Sequence, residues 1–123
     1  AHIYDAPKEE MYVRWKPFGA WWIDGAIESI NSMLDKSNLC IDDISMFCFS
    51  QIAIKNIVTF REKMGIPEER SIYIGDTYGY TGTTSPFLAL YEGIKSGQIK
   101  RGDYVVLCTV AAGSIYIALL FKY

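Results

Sequence analysis

Two stretches of the chain place apolar residues at helical spacing. Between Phe18 and Asp35, four aliphatic residues recur three or four positions apart, and polar residues fill the other face: Ile23, Ile27, Ile30 and Leu34. A second stretch, from Gln51 to Met64, has the same spacing and is followed by Gly65, a residue that commonly ends helices. Both stretches are therefore predicted to form amphipathic helices with one face toward a core.

Five shorter segments have the length and apolar content of strands. The clearest is Ile44–Phe49, a continuous apolar run typical of a strand that is covered on both faces. The other four are Met11–Trp15, Ser71–Ile74, Tyr104–Thr109 and Ile115–Phe121. The last two are joined through the short segment AAGS, which predicts an antiparallel or closely adjacent pair.

A loop rich in glycine and hydroxyl residues, Gly75–Ser85, precedes a third predicted helix. Ser85 followed by Pro86 is typical of a helix start, with a capping hydroxyl and then proline at the first helical position. Apolar side chains surround the first half of this helix: Phe87, Leu88, Leu90, Tyr91 and Ile94. Because so apolar a helix is hard to bury in one small α/β layer, it predicts an interface with a second domain or a second copy.

The predicted elements follow one another in the order βαβαβαββ. Three crossovers indicate a mostly parallel sheet with helices on both faces, and the terminal strand is predicted to run antiparallel. The expected fold is α/β, with a five-stranded sheet in a single domain that spans residues 1–123. A chain of this length can bury a substantial hydrophobic core.

Composition narrows the function classes. The formal net charge is −2, which gives no electrostatic footprint for DNA or RNA. The longest apolar stretch, Ile115–Phe121, is far shorter than the roughly 20 residues of a membrane-spanning helix. We therefore expect neither a nucleic-acid nor a membrane partner.

The residues most often used for nucleophilic or metal chemistry do not cluster. Cys40, Cys48 and Cys108 form no CxxC pair, so they are predicted to be free thiols that pack as small buried hydrophobic residues in a reducing compartment, the cytoplasm. The single histidine, His2, lies at the terminus and is not expected to be catalytic. Neither carboxylates nor cysteines show metal-ligand spacing, so no metal site is predicted.

Three segments carry a resemblance to a known family. They are GIPEER, which begins at Gly65, the GDTYGYTGTTS loop, and EGIKSGQIKRGDYVVL, which begins at Glu92. From Ile41 to Tyr123 the chain resembles the C-terminal half of beta-ketoacyl-acyl-carrier-protein synthase III, a ketosynthase III type condensing enzyme. The resemblance implies one half of the thiolase fold, in which two halves of this element order pack together, with the N-terminal half absent here.

The resemblance also implies a set of site residues, with marked departures from the family pattern. The family's nucleophilic cysteine belongs to the N-terminal half, and its histidine and asparagine hydrogen-bond a thioester carbonyl. Ser50 stands at the histidine position and Tyr80 at the asparagine position, while Gly113 retains a backbone amide for an oxyanion hole. Ser50 either donates one weak hydrogen bond in the site or is a neutral polar residue without a catalytic role. Tyr80 either donates its hydroxyl to a substrate or fills the pocket.

Two further groups of residues have both a functional and an ordinary interpretation. The hydroxyl residues Thr81, Thr83, Thr84 and Ser85 suggest a site, yet such residues also cap helices and satisfy backbone groups in tight loops. Basic residues on the second helix match a surface with which the family docks acyl carrier protein: Lys55, Arg61 and Lys63. A solvated helix face is the alternative interpretation, because Glu62 interrupts the basic patch.

The function expected from the resemblance is that of a divergent 3-oxoacyl-acyl-carrier-protein synthase III-like acyltransferase of fatty acid, polyketide or related lipid biosynthesis. This chain is its C-terminal domain and is inactive alone. No cofactor is expected to stay bound, and the acyl group would arrive on coenzyme A or on the phosphopantetheine of acyl carrier protein. The expected partners are an N-terminal thiolase-type half in a homodimer or heterodimer. The alternative is a non-catalytic half that stabilises or regulates an active ketosynthase.

Overall fold

A mixed sheet forms the centre of the part of the chain that the computed structural model describes, residues 22–111 and 115–123. Its strands are β1 (Ile44–Phe49), β2 (Tyr104–Ala111) and β3 (Ile115–Lys122), in the spatial order β1-β2-β3. β1 and β2 run parallel, with Phe49 opposite Cys108, and β2 and β3 run antiparallel. The predicted antiparallel last strand is therefore confirmed.

Four α-helices accompany this sheet within the described ranges: α1 (Trp22–Lys36), α2 (Ile54–Met64), α3 (Gly75–Tyr78) and α4 (Ser85–Lys95). The predicted apolar face of the first helix is confirmed, since Ile23, Ile30 and Leu34 are buried and Ile27 packs half-buried beside them. Gly65 ends α2 in the left-handed region at φ +66°, where a residue with a Cβ would be strained.

Two apolar clusters cover the two faces of the sheet. One lies under α1 and α2 and joins Ile30 of α1 and Phe60 of α2 to Phe47 and Phe49 of β1. The other lies under α4 and joins its Ala89 to Met46 and Cys48 and to alternate residues of β2. β1 is thus covered on both faces, as its continuous apolar run predicted.

Two details differ from the sequence-based prediction. Ser71–Ile74 does not form a strand and contributes only a single parallel bridge, between Ser71 and Phe47. The backbone groups of Ile72 and Ile74 are instead hydrogen-bonded to the side chain of Gln51. The second helix begins at Ile54 rather than at Gln51, because Gln51 is held in this arrangement. The remaining predicted strand, Met11–Trp15, lies outside the described residues, so the five-stranded sheet is not confirmed.

The α4 side of the sheet leaves large apolar side chains in contact with solvent. Phe87 and Tyr91 of α4 are 58% and 55% exposed, and on β3 Ile115, Ile117 and Leu119 are each at least half exposed. These β3 residues are spaced two apart and continue to Phe121, so they lie on the same face of the strand as Phe121. Phe121 packs on the cluster under α4, so all of them face the α4 side of the sheet. We call these five residues the α4-side apolar surface. An exposed apolar group of this kind is typical of an interface, and the interface predicted from the third helix stays a prediction.

Candidate acyl-transfer site at the carboxyl end of β1

Ser50 is the first residue after β1 and lies at the carboxyl edge of the sheet. Its backbone N–H donates to the Cys108 carbonyl of β2 at 2.8 Å, which continues the parallel pairing by one residue. The side chain is buried, with 6% exposure, and its Oγ has no hydrogen-bond partner among the described residues. Burying an unpaired hydroxyl costs roughly 1–3 kcal/mol, so a hydrogen bond to a partner would stabilise this group.

Gln51 connects the end of β1 to the segment that precedes the glycine-rich loop. Its side-chain Nε2 donates to the carbonyls of Phe49 and Ile72, at 3.0 Å each. Its Oε1 accepts the backbone N–H of Ile74 at 3.1 Å. The residue is 2% exposed, so these bonds are shielded from water.

Ser85 attaches the other end of the loop to the same point. Its Oγ accepts the backbone N–H of Gln51 at 3.2 Å and donates to the Gly82 carbonyl at 2.8 Å. The sequence predicted that Ser85 caps the helix that follows. This prediction is wrong, since Ser85 is already the first residue of α4 and no side-chain cap is formed at its N-terminus. The buried hydroxyl is instead used in a contact across 34 residues of sequence.

The loop between these two attachments consists mainly of short helical turns. α3 is followed by a 3₁₀ turn at Gly82–Thr84, and the Tyr78 hydroxyl donates to Glu92 of α4 at 2.7 Å. This hydrogen bond to a carboxylate raises the pKa of Tyr78. The hydroxyls of the loop do not share one role. Thr84 Oγ1 donates to the Thr81 carbonyl, whereas Thr81 Oγ1 is buried and has no partner in the described part of the chain.

The structure brings two of the three predicted site residues to one edge of the sheet. Ser50 and the loop that carries Tyr80 are both attached through Gln51, at the carboxyl end of β1. Tyr80 itself is 51% exposed, so its side chain does not fill a pocket within the described chain. Gly113, predicted to supply an oxyanion amide, lies outside the described residues.

The predicted docking residues differ in their freedom to meet a partner. Arg61 is mostly covered and pairs with Glu68 at 3.4 Å, and Lys63 pairs with Asp24 of α1. Lys55 is exposed at the start of α2, and no salt bridge to it occurs within the described part of the chain. The three cations therefore do not form one open basic patch.

The cysteines do not provide an activated thiol at this edge. Burial raises the pKa of the Cys48 and Cys108 thiols to about 12, so both remain protonated at neutral pH. Cys40 is exposed, contrary to the prediction that all three cysteines are buried. It precedes β1 and therefore lies at the opposite end of that strand from Ser50.

Two kinds of feature do not occur in the described residues. No group of three or more His, Cys, Asp or Glu side chains is placed to hold a metal ion within residues 22–111 and 115–123. Over the same residues, no helix combines the length and the apolar character needed to cross a membrane.

Sequence reasoning singled out Ser50 and Tyr80 but did not identify the roles of Gln51 and Ser85. A weak signal existed, because Gln51 follows a strongly apolar strand and a polar residue there must find buried partners. Apart from the Phe49 carbonyl, those partners lie 21 to 34 residues away, and no local pattern identifies them.

Comparison with known proteins supports the class that the fold and this edge define, an α/β half-domain of the thiolase type. The profile described as 3-Oxoacyl-[acyl-carrier-protein (ACP)] synthase III C terminal matches residues 34–123. The chain belongs to this family. Beta-ketoacyl-[acyl-carrier-protein] synthase III of Aquifex aeolicus is 30% identical over 96 residues, which are 78% of this chain and 31% of that protein. The Clostridium perfringens protein of the same name is 34% identical over 95 residues, 77% of this chain and 29% of that protein.

Solved structures agree with this assignment. The structure of beta-ketoacyl-[acyl carrier protein] synthase III from Thermus thermophilus matches with a TM-score of 0.79 and 30% identity, covering 100% of this chain and 41% of that one. The synthase III structure from Pseudomonas aeruginosa has a TM-score of 0.84 at 20% identity, covering 96% and 38%, and this likeness concerns the fold alone. The chain thus spans about a third of the length of the curated relatives that it matches.

Proposed function

We propose that this chain is the C-terminal half of a ketosynthase III-like acyltransferase and that it cannot transfer acyl groups alone. The observation that carries the proposal is the buried Ser50 hydroxyl at the carboxyl edge of the sheet, which has no partner among the described residues and lies next to the loop that carries Tyr80. In α/β sheets this edge is where ligands bind. The relatives named above are synthases of the acyl-carrier-protein type, so the ligand proposed here is an acyl thioester.

The acyl-accepting nucleophile is proposed to come from outside residues 1–123. A catalytic cysteine must be populated as thiolate, and the high pKa values of Cys48 and Cys108 prevent this at neutral pH. Cys40 is exposed but lies at the wrong end of β1. An N-terminal thiolase-type half, bound over the α4-side apolar surface, would supply the cysteine and cover that surface.

Ser50 and Tyr80 are proposed to stand where the family has histidine and asparagine. A serine hydroxyl can donate one hydrogen bond, but it cannot act as a base near pH 7. Losing a single oxyanion donor commonly lowers the rate by about 100- to 1000-fold, so decarboxylative condensation at an ordinary rate is not expected. Transfer of an acyl group from a cysteine to an amine or hydroxyl acceptor demands less of these two positions.

The substrate carrier is proposed to be coenzyme A or the phosphopantetheine of acyl carrier protein, in lipid or polyketide biosynthesis in the cytoplasm. Within the predicted docking surface, Lys55 is the residue that geometry favours. It is exposed without a salt bridge in the described chain, whereas Arg61 and Lys63 are engaged with acidic side chains. An acidic carrier protein would therefore meet α2 at its first turn.

The experiment is acyl labelling of the intact full-length protein with acetyl-, malonyl- and longer acyl-thioesters, read by mass spectrometry. The proposal predicts a stable adduct on a cysteine outside residues 1–123 and none on Cys40, Cys48 or Cys108. The matched control is the 123-residue chain alone, which should stay unlabelled. A folded full-length protein that takes up no donor would exclude the enzyme and favour a non-catalytic half that stabilises an active ketosynthase.

A further inference from the structure

Gln51 is the most completely bonded polar side chain at the candidate site. Its Nε2 uses both N–H groups to donate to two backbone carbonyls, and its Oε1 accepts one backbone N–H. Only one orientation of the amide satisfies all three partners, because two of them are acceptors and the third is a donor. No donor remains for a substrate, so Gln51 does not act on the reacting atoms itself.

The partners of Gln51 belong to segments that approach the site from different directions. Phe49 is the last residue of β1, and Ile72 and Ile74 lead into the loop. The backbone N–H of Gln51 binds Ser85 Oγ, where the loop ends and α4 begins. Both ends of the segment Gly75–Ser85 are therefore attached to the residue that follows Ser50.

The loop itself contains points of conformational freedom. Gly79 and Gly82, on either side of Tyr80 and Thr81, adopt φ angles of +67° and +66°. These left-handed conformations are readily reached by glycine and strained for other residues. Gln51 and Ser85 hold both ends of this loop, in addition to the hydrogen bond that Tyr78 within it donates to Glu92.

We propose that Gln51 is a positioning residue, whose side-chain amide fixes the loop carrying Tyr80 in place relative to Ser50. The proposal deepens the acyltransferase function proposed above and rests on it. Misplacing a reacting group by about 1 Å can lower a rate by about 100-fold. Removing the hydrogen bonds of the Gln51 side chain should therefore lower kcat more than it weakens substrate binding.

The first variant is Gln51→Met, which keeps an unbranched side chain of similar size and removes the three amide bonds. The matched control is Ser71→Ala, which removes a buried hydroxyl that has no partner among the described residues. In the full-length protein, hydrogen exchange of the Ile74–Ser85 amides should speed up by about tenfold or more in Gln51→Met alone, because their anchoring bonds are lost. Amides of α1 should be unchanged in both variants.

The kinetic measurement separates positioning from simple stability. We expect kcat for acyl transfer to fall by about 10- to 100-fold in Gln51→Met, with KM nearly unchanged. Gln51→Glu should recover part of the rate, since a protonated carboxyl group can donate one bond and accept another. Its kcat should fall as pH rises, because a carboxylate cannot donate to the Phe49 and Ile72 carbonyls. The native enzyme should not show this additional pH dependence.

Native exchange rates in Gln51→Met would show that Gln51 does not hold the loop. Faster exchange of the loop with unchanged kcat would show that Gln51 does not position the site. If Gln51→Met does not fold, Ser85→Ala replaces it, because it removes the attachment at the far end of the loop. If the native full-length protein transfers no acyl group, the proposed function fails. The exchange measurement then tests only whether Gln51 holds the loop in place. Loss of protection only in Gln51→Met supports this role, and native protection in Gln51→Met overturns it.

Discussion

The α4-side apolar surface leads to a quantitative prediction about association. Phe87 and Tyr91 leave 58% and 55% of their surface exposed on α4. Complete burial of such a side chain contributes roughly 1.5–3 kcal/mol, so covering the exposed half of each would contribute about 1–1.5 kcal/mol. Together they contribute about 2–3 kcal/mol, which corresponds to a factor of about 30 to 150 in a dissociation constant.

The perturbation is the double substitution Phe87→Ser and Tyr91→Ser in the 123-residue chain. In the absence of the N-terminal half, the native chain should self-associate through this surface in a concentration-dependent manner. Because a dimer formed through this surface buries it on both copies, the loss counts twice, about 4–6 kcal/mol. The double variant should therefore raise the dissociation constant, measured by sedimentation equilibrium, by about 1000- to 20,000-fold. Circular dichroism and thermal unfolding of the dilute variant establish that it remains folded.

The control is Ile54→Ser, which removes an apolar side chain of comparable exposure, 44%, from α2 on the other face of the sheet. This variant should associate as the native chain does. A native chain that sediments as a monomer at every concentration would contradict association through the α4-side apolar surface. So would an Ile54→Ser variant that weakens association as much as the double variant does.

Three further predictions concern single groups. Iodoacetamide at about pH 8 should alkylate Cys40 in the folded chain but not Cys48 or Cys108. A pKa of about 12 leaves roughly one buried thiol in ten thousand ionised at that pH. Alkylation of Cys48 or Cys108 in the folded chain would contradict their burial. The Asp43 carboxylate accepts the Cys40 N–H at 2.7 Å, and this bond lowers its pKa. Its stabilisation is therefore present above about pH 4 and lost as pH falls through the lowered pKa, so Asp43→Asn should reduce Tm at about pH 7, and the reduction should shrink as pH falls below about 4. Lys55→Glu should slow association of the full-length protein with acyl carrier protein about fivefold at low salt, measured by stopped flow, and an unchanged rate would exclude docking at α2.

The parts of the fold that depend on local pattern were predictable from the sequence. The apolar face of α1 follows from the spacing of its aliphatic residues, and the coverage of β1 on both faces follows from its continuous apolar run. Burial of an amphipathic face stabilises a helix wherever the rest of the core lies, so these predictions need no knowledge of partners.

The segment Ser71–Ile74 shows why other parts were not predictable. Its apolar residues have strand character, yet the backbone groups of Ile72 and Ile74 bond to a side chain 21 to 23 residues earlier rather than to a neighbouring strand. The exposure of Cys40 and the contact between Ser85 and Gln51 are likewise set by tertiary packing. Of the candidate site, the resemblance pointed to Ser50 and Tyr80, whose roles stay predictions. The hydrogen bonds that position their segments depend on distant residues.

The central claim is that the carboxyl edge of β1 binds an acyl thioester once an N-terminal half covers the α4 side. The most direct test is a crystal structure of the full-length protein with a non-hydrolysable acyl-pantetheine analogue. We expect the carbonyl oxygen of the analogue within about 3 Å of Ser50 Oγ or the Tyr80 hydroxyl, and Phe87 and Tyr91 buried against the N-terminal half. An analogue bound elsewhere, with Ser50 paired to another protein group and Phe87 in solvent, would contradict it.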